Sequence, residues 1–133
     1  VTEKPAELDY ALLAQWARVN ADGTLTVVDG SFLRVRAPRG SHIPLAVAGR
    51  IRFFGEPYQT SITVTLELAG GVSTSFTTMA EAPEDSEYGE GRRHVLFAFN
   101  TQVPALDPGR CLVRVAVGDG GPSRDLYFTI EEA

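Results

Sequence analysis

The stretch Ser61-Ile62-Thr63-Val64-Thr65-Leu66-Glu67-Leu68 alternates apolar and polar side chains without a break. Successive residues of a strand point to opposite faces, so this segment predicts a strand with one dry face, formed by Ile62, Val64, Leu66 and Leu68. The same period recurs downstream. Cys111, Val113, Val115 and Val117 share a face, and Leu126, Phe128 and Ile130 alternate with Tyr127, Thr129 and Glu131. Between these two runs stands Gly118-Asp119-Gly120-Gly121-Pro122, whose glycines suit a tight turn, and a C-terminal hairpin is expected. Working back along the chain, Val95, Phe97 and Phe99 form another inward set, as do Val72, Thr74 and Phe76. Val47, Gly49, Ile51 and Phe53 face away from Arg50 and Arg52, Leu25 and Val27 follow an Asn20-Ala21-Asp22-Gly23 turn, and Phe32 to Ala37 adds one more run. These segments predict an all-β, antiparallel β-sandwich of about eight strands, immunoglobulin-like or related in topology, with residues 1–133 as a single domain.

The segment Ala6 to Val19 admits two structures. Leu8, Ala11, Leu12, Trp16 and Val19 fall near one helical face, and Pro5 suits a first helical turn. The same residues also read as a strand buried on both sides, with Tyr10, Leu12, Ala14 and Trp16 on one and Ala11, Leu13, Ala17 and Val19 on the other. Periodicity leaves both open. The block LDYALLAQWARVNADGTLTVVDGSFLRV (Leu8 to Val35) resembles the opening of a family of uncharacterised bacterial proteins, a domain of unknown function. The resemblance runs through the apolar stretch Tyr10 to Val19, the turn Asp22-Gly23-Thr24-Leu25, and Asp29-Gly30-Ser31 leading to Arg34. Asp107-Pro108-Gly109-Arg110 before the valine strand is similar to the family's final hairpin, whereas Thr24 stands where Lys is usual and Asp29 where a small or apolar residue is common. The resemblance implies a sandwich and a strand over Ala6 to Val19; it implies no activity.

Composition narrows the class. With 44% hydrophobic and 22% charged residues in 133, the chain can bury one core and has no apolar run of membrane-spanning length. The VTEKPAELDY start lacks a basic region leading into an apolar one, and Cys111 is the single cysteine, so a cytoplasmic protein without disulfides is expected. Cys111 lies in register with Val113 and Val115 and reads as a buried, inert thiol.

Charge is segregated along the chain. Ser31 to Gly55 holds Arg34, Arg36, Arg39, Arg50 and Arg52 and no acid, although the net charge is -5. Residues two apart share a strand face, so Arg34 with Arg36 and Arg50 with Arg52 form pairs that would lie side by side if their strands were neighbours. Phe54, on the arginine side of the alternation, suits an interface anchor, since aromatic residues and arginine dominate binding hot spots. Trp16 reads as core packing. The converse run, Ala80 to Gly91, carries Glu81, Glu84, Asp85, Glu87 and Glu90 without a base and is expected to be the longest loop, solvated and mobile. Its spacing does not match a calcium loop.

Catalytic groups are sparse. His42 and His94 are the two histidines, neither beside a carboxylate or cysteine at ligand spacing, and no nucleophile elbow or phosphate loop is present. The chain is therefore expected to be a non-enzymatic protein-interaction or assembly module without cofactors, binding a protein partner or its own copies through Arg34, Arg36, Arg50, Arg52 and Phe54. Negative charge and the lack of exposed aromatic rows argue against nucleic acid; membrane binding is not expected. An open sandwich also has edge strands that a partner can cover. The alternative is a small-ligand or metal-binding sandwich using the loops near His42 and 80–91.

Overall fold

A computed structural model describes residues 6–118 and 123–133; Pro5 and the Asp119 to Pro122 part of the expected turn lie outside the described residues. The chain is all-β, with β1 (Ala6–Ala14), β2 (Trp16–Val19), β3 (Leu25–Val28), β4 (Arg34–Ala37), β5 (His42–Phe53), β6 (Gln59–Glu67) and β7 (Ser73–Glu81). A 3-10 turn (Glu84–Ser86) precedes β8 (Glu87–Gly89), β9 (Arg92–Pro104), β10 (Gly109–Val117) and β11 (Ser123–Glu132). They form a four-stranded sheet β1-β5-β9-β8, a five-stranded sheet β4-β11-β10-β6-β7 and a two-stranded ribbon β2-β3. Pairings are antiparallel except β4 with β11.

Eleven strands among the described residues exceed the eight expected. Ala6 to Val19 supplies two of the extra ones, because the strand breaks at Gln15, and the third, β8, lies inside the acidic segment. That segment is correspondingly shorter as a loop than expected: β7 runs on to Glu81, and Ser86 closes the 3-10 turn by donating from its backbone N–H to the Pro83 carbonyl at 3.0 Å.

The inner faces of the two larger sheets share one core. Ile43, Leu45, Val47, Ile51 and Phe53 of β5 meet Ile62 and Val64 of β6, the valines of β10 with Cys111, and Phe128 and Ile130 of β11. Ile51, Phe53, Ile62, Val113 and Val115 are fully buried, each worth about 1.5–3 kcal/mol in apolar transfer. Burial holds the Cys111 thiol above its ordinary pKa, as befits an inert core residue. The expected inward set Val72, Thr74 and Phe76 departs from this pattern. No residue of β7 is buried, because β7 is the edge strand of its sheet; Phe76 meets the edge of Phe99, at 5.2 Å between centroids, and stays 46% exposed.

A second, smaller core lies on the opposite face of β5. Ala14, Ala17, Ala46 and Ala48 are sealed beneath the β2-β3 ribbon, with Leu12, Leu25, Val27 and Ala98 around them. Methyl side chains let the ribbon backbone sit close, and Asn100 locks it there: its amide donates to the Ala17 carbonyl at 2.8 Å, and its oxygen accepts from the Ala17 N–H at 3.1 Å. Trp16 does not enter this core. It is 41% exposed, with the Arg18 guanidinium 5.6 Å from its ring centroid.

The helix-like spacing near the N-terminus has a cause in this packing. β1 carries a register irregularity between Leu8 and Tyr10: Leu8 faces Ile51, Tyr10 faces Arg50, and Asp9 is the extra residue. A bulge shifts the alternation by one. Ala6 and Leu8 point inward before it and Ala11 and Leu13 after it, so the inward spacing from Leu8 to Ala11 is that of a helix although the backbone is extended. The shifted backbone passes directly over Gly49, where an added Cβ would lie 2.1 Å from the Tyr10 carbonyl oxygen and 2.8 Å from Phe97. Only glycine fits. Gly49→Ala is expected to cost about 3 kcal/mol or more, above the usual overpacking range, because backbone rather than a movable side chain opposes it. A urea denaturation midpoint close to the native one would contradict the close approach.

Candidate interaction surface

β5 is longer than the ribbon that covers it. Its middle, Ala46 and Ala48, lies under the ribbon; His42 and Pro44 before it are exposed, and after it Arg50 and Arg52 stand on an outer face that the ribbon leaves open. Cross-strand register sets Glu7 opposite Arg52 and Tyr10 opposite Arg50. The bulge adds Asp9 between them. Arg50 donates from Nε to Asp9 Oδ2 at 2.7 Å and again from Nη2, Arg52 donates to Glu7, and Arg52 Nε lies 3.5 Å from Asp9 Oδ1. One carboxylate therefore spans two guanidiniums and is itself mostly covered. The hydrogen bond to Glu7 raises the Arg52 pKa above its already high value, against partial desolvation, and the group is charged at every accessible pH.

Aromatic rings complete the surface. Arg50 lies 5.3 Å from the Tyr10 ring centroid, and Arg52 and Arg92 flank Phe54 at 6.0 and 5.7 Å. Tyr88, from β8, stacks on His94 with centroids 5.2 Å apart. Cation–π contacts of this kind contribute roughly 0.5–1 kcal/mol at exposed sites and keep long arginine chains in one place.

The predicted residues divide between two sheets. Arg50, Arg52 and Phe54 converge as expected, but Arg34 and Arg36 stand on β4, at an edge of the five-stranded sheet, so the two arginine pairs are not neighbours. Nor is the arginine-rich segment a free cationic surface. Arg34 meets Glu131 at 3.6 Å, and Arg39 meets Asp107 and Glu132, each at 3.7 Å, while Arg50 and Arg52 meet Asp9 and Glu7. Segregation along the sequence becomes pairing in space because β1 and β11, which carry the acids, are the strands beside β5 and β4. Tyr10, Arg92 and Tyr88 were not singled out from the sequence. Glu7-x-Asp9 was the available signal, since an acidic strand face needs a basic one opposite.

His42 and the acidic segment do not form a joint site. His42 begins β5 beside Pro104, and Phe53 ends it beside Arg93, next to β8. The eleven steps between them span about 36 Å at ~3.3 Å per residue. Pro83, Asp85 and Ser86 instead line a cleft of about 480 Å³ opposite the ribbon turn, with Asn20, Asp22, His94 and Leu96. Among the described residues no three His, Cys, Asp or Glu side chains are grouped to hold a metal ion, and no helix is long and apolar enough to cross a membrane. No protein-family model matches the chain, and no curated protein matches it.

Asp9→Asn removes the shared countercharge and is expected to lower stability by about 1 kcal/mol at low ionic strength, with the loss shrinking in high salt. Arg34→Ala, at a largely exposed pair, should stay within about 0.5 kcal/mol of the native protein. Paired urea titrations at two salt concentrations compare the two; equal losses would contradict the special position of Asp9.

Proposed function

We propose that the domain is a non-enzymatic protein-interaction module on a β-sandwich scaffold, immunoglobulin-like or related, which binds a protein partner through the corner formed by Arg50, Arg52 and Phe54. The observation that carries this reading is the convergence of Tyr10, Arg50, Arg52, Phe54 and Arg92 on the uncovered end of one sheet face. Arginine and aromatic groups dominate binding hot spots. Here Glu7 and Asp9 already hold two of the guanidiniums, so little side-chain entropy is lost when a partner docks. Arg92, which pairs with no carboxylate among the described residues, suits an acidic group on the partner. Arg34 and Arg36 belong to a separate, peripheral patch. A second reading, small-ligand binding, draws on the cleft between the ribbon turn and Pro83 to Ser86.

Photocrosslinking from p-benzoylphenylalanine at position 54 tests the proposal, with Tyr127, exposed on the other sheet, as the control position. A protein captured from position 54 and not from 127, with capture reduced about tenfold or more by Arg92→Glu, is the expected result. Equal capture from both positions would contradict it. No capture from position 54, together with a melting temperature raised by millimolar calcium or zinc, would turn the reading to the cleft.

A further inference from the structure

The two larger sheets have four outer edges, and three of them carry devices that discourage strand addition. β1 has Glu7, Asp9 and the bulge; β8 is three residues long; β4 is four residues long with Arg34 and Arg36, and Pro38 follows it. Charge, bulges, proline and shortness are the usual protections of an edge. β7 has none of them. Its nine residues, STSFTTMAE, pair with β6 without interruption from Ser73↔Glu67 to Glu81↔Gln59, contain no proline, and hold Glu81, at the very end, as their one charge. Phe76 is 46% and Met79 62% exposed, and Val72 just before the strand is 45% exposed. An unbulged, β-prone edge of this length, with its one charge at the end, is a template for another strand.

We infer that β7 pairs with β7 of a second copy of this chain, antiparallel about a two-fold axis near Thr77, joining two five-stranded sheets into one. The strand is its own complement. With Thr77 opposite Thr77, Phe76 faces Thr78, Ser75 faces Met79, Thr74 faces Ala80 and Ser73 faces Glu81, so no like charges meet although each chain carries a net charge of -5. Both partners are extended before they meet, so pairing orders no flexible segment. Pairing also covers Phe76, which in the single chain leans on Phe99 alone among the aromatic rings described. This surface is separate from the arginine corner, and either can fail without the other.

Ser75 and Thr77 stand opposite Thr65 and Thr63 on the outer face, and the Thr77 hydroxyl bonds that of Thr63 at 2.9 Å, so charges placed there do not enter the core. Sedimentation equilibrium over a concentration series reads the result. The native chain is expected to dimerise. Ser75→Lys with Thr77→Lys, and separately Ser75→Glu with Thr77→Glu, should each weaken dimerisation about tenfold or more, because like charges then meet in any register centred on residues 75 to 77. An equimolar mixture of the two variants should dimerise again. Thermal melts of each variant, expected to match the native chain closely, separate loss of pairing from loss of fold. A native chain that stays monomeric, a lysine variant that keeps its dimer, or a mixture that fails to restore it would overturn the inference.

Discussion

The close crossing of the β1 backbone over Gly49 is the constraint on which the other features depend. A single extra residue, Asp9, sits between Leu8 and Tyr10, and β1 can accommodate it only where β5 offers no Cβ. The consequences run to both faces. Inward, the bulge returns Ala11 and Leu13 to the core after Leu8 has already faced it. Outward, it places Asp9 and Tyr10 together beside Arg50, where simple alternation would present one and hide the other. The arginine–aromatic corner is in this sense a product of core packing.

β5 ties the layers together because it is buried on both sides over its middle. Leu45, Val47 and Gly49 serve the core between the larger sheets, and Ala46 and Ala48 serve the alanine core beneath the ribbon. The size difference is physical: a two-stranded ribbon has little apolar area of its own, and it is held by close backbone approach and the paired hydrogen bonds of Asn100 rather than by large side chains. Since the ribbon's cover ends before Arg50, the last part of that face, Arg50 and Arg52, is open and polar. Sheet edges follow the same division of labour. Among the described residues the edge strands β1 and β4 carry ion pairs, and the long edge β7, with one charge at its end, carries none.

Much of the fold was legible in the sequence where one face of a strand is dry and the other wet. Ile62 and Val64, Val113 and Val115, and Phe128 and Ile130 occupy the core as alternation predicts. Legibility failed where alternation is interrupted or unrewarded. The bulge at Asp9 gave an extended segment the spacing of a helix, and β7 alternates at a sheet edge, where Phe99 covers Phe76 only in part. The arginine corner was half legible: Arg50, Arg52 and Phe54 share a face by spacing alone, whereas Tyr10 and Arg92 join them only through the pairing of β5 with β1 and with β9. The apparent cationic surface dissolved because its countercharges, Glu7, Asp9, Glu131 and Glu132, come from the two ends of the chain. Linear charge runs are blind to that.

Residue-resolved native-state hydrogen exchange tests the central claim most directly, namely that β5 is the doubly buried strand clamped by β1 and the ribbon. Amides of Ala46 to Phe53 are predicted to exchange only through global unfolding, the slowest in the chain, while those on the free edge of β7 exchange fastest among the strands in dilute solution. Exchange at Ala46 to Ala48 as fast as on β7 would contradict the account, since it would mean that neither the bulged β1 nor the ribbon holds β5 in place.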